Sequence, residues 1–131
     1  MSARKAAEGC SEDLHCGVNV VADAENMTDL EKKHVPVISA PDTVEKGECF
    51  EVTVEVGKHL AHPNDYDHFI GFVELYADHT FLGRQDFAPV STCPVAKFCV
   101  QLDHIHGELR AFEFCNIHGT WEGTRDLTVT G

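Results

Sequence analysis

Hydrophobic and polar positions alternate most cleanly in Glu51-Val52-Thr53-Val54-Glu55-Val56, which sets the valines on one face and the polar residues on the other. That pattern predicts a half-buried strand, and Gly57 ends it. Residues 69–76 predict a second strand, in which Gly71 marks a bulge or a close backbone approach. Residues 81–87, 96–102, 108–115 and 126–130 predict further strands, separated by prolines and glycines such as Pro63, Pro89, Pro94, Gly107, Gly119 and Gly123. A short helical stretch is expected at residues 28–33. Several short strands without a long helix read as an antiparallel sandwich or barrel. Residues 1–30 are polar and weakly periodic and read as an arm, and the β-rich domain takes residues 31–131. The chain carries no internal repeat and no low-complexity segment.

The run Leu109-Arg110-Ala111-Phe112-Glu113-Phe114-Cys115 adds a statement about direction. Phe112 and Phe114 share one face of the strand, and the Cys115 sulfur lies on the other. With the phenylalanines filling the core, the thiol is expected to point outward, toward a loop-built site near the surface.

Composition narrows the class. The 131 residues suffice for one domain with a core of its own. No apolar run is long enough to span a bilayer, and the basic start Met1-Ser2-Ala3-Arg4-Lys5 has no apolar segment after it. We therefore expect a cytoplasmic protein. A formal net charge of −12 makes nucleic acid and anionic membranes poor partners. It also means that an anionic substrate needs a local positive patch. Six cysteines raise the question of disulfides, which a reducing compartment disfavours. Cys10 and Cys16, with five residues between them, match no standard zinc or rubredoxin-type spacing. Cys49 and Cys99 sit in apolar, strand-like runs and are expected to be small buried core residues. Cys93, before Pro94, falls in a turn and is read neither way.

The candidate chemistry lies in Cys115-Asn116-Ile117-His118-Gly119-Thr120-Trp121, together with three isolated histidines upstream. These are His34 before Val35-Pro36, His62 before Pro63, and His68 after Asp67. Cys115 and His118 are spaced for one metal across a turn that Gly119 helps to make. His62 and His68 bracket a loop that can fold both imidazoles inward. A structural zinc wants a closed tetrahedron. Five nitrogen and sulfur donors suit a larger coordination number, and they exclude calcium and magnesium. On an octahedral metal such as iron they leave one position free, and a thiolate ligand pushes electron density onto the metal. His59 is close enough in sequence to compete with His62. His104 and His106 alternate with Ile105, and a polar hairpin is the expectation there rather than a second metal pair. His15 and His79 are unassigned. A cupredoxin-like electron carrier fits poorly, because its usual axial methionine is missing near the motif. A non-catalytic binding module with a structural metal is the other alternative.

In their order along the chain, Lys33-His34-Val35-Pro36-Val37-Ile38, His62-Pro63, His68-Phe69-Ile70, Glu74-Leu75 and the run from Leu109 to Trp121 resemble superoxide reductase, the desulfoferrodoxin and neelaredoxin family. The resemblance covers residues 31–131. It implies an all-β fold, a seven-stranded antiparallel immunoglobulin-like β-sandwich carrying an irregular N-terminal arm. It implies a non-haem iron (Fe2+/Fe3+), one per chain, with His34, His62, His68 and His118 as equatorial ligands and Cys115 as axial ligand. The implied reaction is one-electron reduction of superoxide to hydrogen peroxide. Rubredoxin or a similar small electron-transfer protein is the implied donor, and a homo-oligomer, dimer or tetramer, is the implied assembly. Lys33 matches the family lysine beside the first ligand, where an ammonium attracts the anion and orders water for proton delivery. Two departures stand out. Many members carry glutamate immediately before that lysine, where this chain has Lys32, with Glu31 one residue further off. Desulfoferrodoxins also carry a four-cysteine iron centre at the N-terminus, and Cys10 and Cys16 alone cannot build one. The expectation is a one-iron protein.

Overall fold

The computed structural model describes residues 17–131. Cys10, Cys16 and His15 lie outside the described residues. The helix is α1 (Asp29–His34), a residue from its expected start. Thr28 caps it: its hydroxyl accepts from Glu31 N at 3.1 Å, and the Glu31 carboxylate accepts from Thr28 N at 2.9 Å. Acidic Asp29 and Glu31 sit in the first turn and Lys32, Lys33 and His34 in the last, the polarity that the helix dipole favours.

Nine strands follow: β1 (Pro36–Ser39), β2 (Thr43–Glu45), β3 (Cys49–Val56), β4 (Ile70–Ala77), β5 (Thr80–Asp86), β6 (Val95–Gln101), β7 (Glu108–Cys115), β8 (Gly119–Asp126) and β9 (Thr128–Thr130). Seven of them build two antiparallel sheets, one ordered β1-β3-β6 and the other β5-β4-β7-β8. β2 and β9 form a short parallel pair beside them. Val52, Val54 and Val56 of β3 all turn inward, as their alternation predicts. They meet Val73 and Leu75 of β4 and Leu109 and Ala111 of β7 in one core. Of the two readings of Gly71, a bulge or a close backbone approach, the structure has the first, as a register shift between Ile70 and Phe72.

β1, β2 and β8 are absent from the pattern of alternation. β8 is hidden by Gly119 and Gly123, which read as turn residues. Gly123 has a different reason to be glycine: a Cβ there would lie 2.0 Å from Pro36 O, so the backbone of β1 runs directly against β8. That contact sets Pro36, two residues beyond the end of α1, against the strand that follows the cysteine turn. On the outer side of β8 the arm adds one bridge: Asn19 N donates to Thr120 O at 2.9 Å and Glu122 N to Asn19 O at 2.9 Å.

Three expectations are corrected. In β7 the inward face is Leu109, Ala111, Glu113 and Cys115, so the thiol is on the core side and Phe112 and Phe114 are outside. The phenylalanines instead join an outer band, with Phe114 stacked on Phe72 at 5.6 Å and the Arg84 guanidinium 3.9 Å over Phe72. Alternation shows which residues share a face; which face is inner depends on the second sheet. Cys49 and Cys99 are exposed, not buried, because Phe50, Val52, Ala96 and Val100 take the inner face of their sheet. His104 and His106 are not on a hairpin: their loop carries the chain from β6 in one sheet to β7 in the other. Cys93 is exposed, and all the described cysteines are free thiols.

Candidate metal centre

The donors reach one place by separate routes. His34 is the last residue of α1, fixed there because Val35 leaves the helix extended into Pro36. His62 and His68 lie in the β3–β4 connection, which closes on itself through Asp65 N to His68 O at 2.9 Å and His68 N to Asp65 O at 3.2 Å. Cys115 ends β7 and pairs with Gly119, whose φ of 79° turns the chain back into β8 with His118 inside the turn.

Four imidazoles close a ring. Centroid separations run 4.7 Å from His34 to His62, 4.7 Å from His62 to His68, 5.4 Å from His68 to His118 and 4.9 Å from His118 to His34. The Cys115 sulfur lies 3.4 Å from His62 Nε2 and 3.9 Å from His118 Nδ1. Donor atoms of His34, His68, Cys115 and His118 all fall within 4.8 Å of one another, close enough for one metal ion. All five residues named from the sequence therefore converge. His59 does not join them; it borders an exposed groove beside residues 20–27.

Hydrogen bonds orient the rings. His34 Nδ1 donates to Leu30 O at 2.7 Å and His62 Nδ1 donates to Pro63 O at 2.5 Å. Because a carbonyl only accepts, each Nδ1 carries the proton and each Nε2 keeps its lone pair for the centre. The Nε2 atoms of His34 and His68 are buried and have no hydrogen-bond partner among the described residues. A buried ring nitrogen without a partner is costly unless something fills its lone pair, and a metal ion does so. The donor set and these unpaired nitrogens fit a transition metal.

Electrostatics agree with this reading. Burial lowers His34 to about 4, with His62, His118 and His68 adding to the effect. His62 is likewise lowered to about 4 by burial, the neighbouring imidazoles and the Lys33 ammonium. Both rings are therefore neutral near pH 7, as metal ligation requires. Burial raises the Cys115 thiol, while backbone N–H groups of His118 and Ile117 act against that rise. His118 N sits 3.4 Å from the sulfur. A cation supplies what burial withholds, since a coordinating thiol loses its proton outright. Glu113, on the same inner face, is held protonated by burial well above the carboxylate range. The ring is graded in depth: His34, His62 and Cys115 are buried, while His68 and His118 are half-buried, so one side faces solvent. Lys33 is half-buried next to His34.

Sequence reasoning gave no role to several residues that hold this arrangement. Asn116 ties the two halves together: its Oδ1 accepts from Phe69 N at 2.8 Å and its Nδ2 donates to Asp67 O at 2.9 Å. Trp121 is buried and stacks on the His34 ring at 5.1 Å with planes 20° apart. Asn19 is buried and donates to His118 O at 3.3 Å and Thr120 O at 3.1 Å. Asn116 and Trp121 stand within the cysteine run; for Asn19 no local signal exists. Glu31 is engaged elsewhere, its carboxylate accepting from Ala22 N at 3.0 Å as well as from Thr28 N.

Comparison with known proteins adds a second kind of finding. Residues 26–124 match the family model described as Desulfoferrodoxin. The chain is 37% identical over 109 residues to a superoxide reductase of Pyrococcus furiosus, covering 70% of this chain and 85% of that one. It is 33% identical over 116 residues to a neelaredoxin of Megalodesulfovibrio gigas, covering 75% and 88%. The solved structure of a superoxide reductase (neelaredoxin) from Ignicoccus hospitalis superposes with a TM-score of 0.74 at 32% identity, covering 86% of this chain and 95% of that one.

Proposed function

The chain belongs to the desulfoferrodoxin family, and on that premise we propose that it is a superoxide reductase with one mononuclear non-haem iron. The closed ring of four imidazoles with a cysteine sulfur against it carries the reading. His34, His62, His68, His118 and Cys115 would hold the iron. Residues 31–131 form the catalytic domain, to which Asn19 adds a bridge on β8.

The reaction joins superoxide, one electron and two protons to give hydrogen peroxide. When bound, ferrous iron supplies the electron. Lys33 brings the anion in: the chain is strongly acidic, so a local ammonium beside His62 is what an approaching superoxide meets as attraction. The same ammonium orders water at the open side, where the protons enter. Burial keeps His34 and His62 neutral, so both would offer the iron a lone pair, and the Cys115 thiolate would push electron density onto it. Backbone N–H groups aimed at the sulfur moderate that donation. Glu31 takes no part, because its oxygens are held by the backbone of Thr28 and Ala22.

An external one-electron donor, in our reading a rubredoxin-like protein, returns the iron to the ferrous state. The half-exposed aromatic band on the β4–β7 face supports self-association into a dimer or tetramer. Sedimentation at the mass of a single chain would count against that assembly.

The test is product yield. Iron-loaded, reduced protein is given superoxide with excess reductant, and peroxide and dioxygen are measured. All consumed superoxide should appear as peroxide, with no dioxygen. Release of half as dioxygen makes the protein a dismutase and overturns the proposal. Cys115→Ala separates the remaining alternative: a structural metal site predicts loss of the β fold, whereas the reductase predicts lost activity in a folded protein.

A further inference from the structure

Two histidines outside the iron centre stand as neighbouring rings. The rings of His104 and His106 stand 5.3 Å apart between centroids, with planes at 68°. That separation falls within the 4.7 to 5.4 Å between neighbouring imidazoles of the ring described above. The cause lies in Ile105, which packs against the core and so turns both flanking side chains to solvent on one side. Together with His79 and Asp103 they border a cleft of about 680 Å³.

The cleft is at the opposite pole of the sandwich. β4 and β7 pair Ile70 with Cys115 at one end and Ala77 with Leu109 at the other. At about 3.3 Å per residue, the length of β7 separates the poles by more than about 20 Å. The loop there is held by Asp78, whose Oδ2 accepts from His106 N at 2.7 Å and whose Oδ1 accepts from Glu108 N at 3.2 Å. Arg110 Nη1 in turn donates to Asp78 O at 3.1 Å. The backbone under His106 is thus set before any ligand arrives, which lowers the entropy cost of binding.

We propose that His104 and His106, in the cleft bordered by His79, form a second metal site that takes a borderline divalent cation such as Zn2+, separate from the iron. Imidazole pairs select zinc, copper and nickel over calcium and magnesium. The net charge of −12 draws cations to the surface, and Asp103 does so locally. Because His79, His104 and His106 are exposed, water or a partner group completes the coordination, and exchange with solvent is fast compared with the iron centre.

Calorimetric titration of the iron-loaded protein with Zn2+ at neutral pH tests the site, with iron content measured before and after. We expect one saturable zinc per chain with iron retained. The His104→Ala/His106→Ala double variant should weaken binding by more than about tenfold, the lower end of what losing a supporting contact costs a metal site. His59→Ala, which removes an exposed histidine elsewhere, should leave the affinity unchanged. Absence of saturable binding, full affinity in the double variant, or an equal loss in His59→Ala would each overturn the proposal. Peroxide yield is read separately, so failure here and failure of the reductase assignment are distinct results.

Discussion

At the scale of single residues, Asn116 and Glu31 mark the difference between holding the centre and standing near it. Asn116 satisfies a backbone N–H and a backbone carbonyl of the His68 loop from the turn that carries Cys115 and His118. Asn116→Ala removes both bonds and frees the two ligand segments from each other. We expect iron to be held about 10 to 100 times more weakly, the usual cost of losing a ligand's supporting contact. Competition with a chelator measures this, and unchanged affinity would remove Asn116 from the centre. Glu31→Ala breaks the capping box instead. It should cost about 1 kcal/mol of stability, seen as a lower denaturant midpoint, and leave the second-order rate with superoxide nearly intact. A large loss of that rate would mean that the carboxylate leaves its cap to reach the metal.

The elements are ordered by one close contact and one reversed face. Pro36 of β1 lies so near Gly123 of β8 that no side chain fits between them. Gly123→Ala must push β1 away, at about 1 to 3 kcal/mol as for other overpacked sites. Because His34 is two residues from Pro36, the same push disturbs the imidazole ring. The variant should show a lower unfolding midpoint together with an altered visible spectrum of the ferric protein, and a normal spectrum would confine the effect to packing. The reversed face is β7. The sequence showed that Phe112 and Phe114 oppose Cys115, and their hydrophobicity assigned them to the core. The structure gives the core to Leu109 and Ala111, with Glu113 and Cys115 continuing that face toward the metal ligands. The phenylalanines find partners outside in Phe72, Tyr76, Arg84 and Arg110.

For the whole molecule, four buried titratable groups, His34, His62, Glu113 and Cys115, set the pH dependence of the metal-free fold. In the unfolded chain a histidine takes up a proton near 6.5, whereas folded His34 and His62 stay neutral down to about 4. The unfolded state therefore binds more protons in that window, and stability falls as pH drops from 6.5 toward 4. Glu113 acts in the other direction. Its folded form stays protonated above the ordinary carboxyl value of 4.5, so the stability tied to it is lost as pH rises beyond that value. Two histidines outweigh one glutamate on the acid side; on the alkaline side the glutamate acts first, and the Cys115 thiol, also raised by burial, joins it beyond the ordinary thiol value of 9.0. Denaturant midpoints should therefore peak near pH 6.5, and Glu113→Gln should flatten the alkaline limb. A midpoint that rises steadily through neutral pH in the parent protein would contradict this.

The sequence by itself determined the strands whose two faces differ in polarity, such as residues 51–56, the bulge at Gly71, and the identity of the five converging donors. Periodicity of two and the chemistry of cysteine and histidine are local properties, legible without coordinates. Its motifs also carried the family. Tertiary structure alone decided which face of β7 is inside, because that depends on where β1 and the second sheet lie. It decided that Gly119 and Gly123 belong to a strand, since the reason for Gly123 is a backbone more than eighty residues away in sequence. It made Asn19 part of the support of the candidate metal centre, across a separation of 99 residues from His118. It also set His104 and His106 at the far pole as a facing pair, because only the packing of Ile105 into the core fixes the direction in which its neighbours turn.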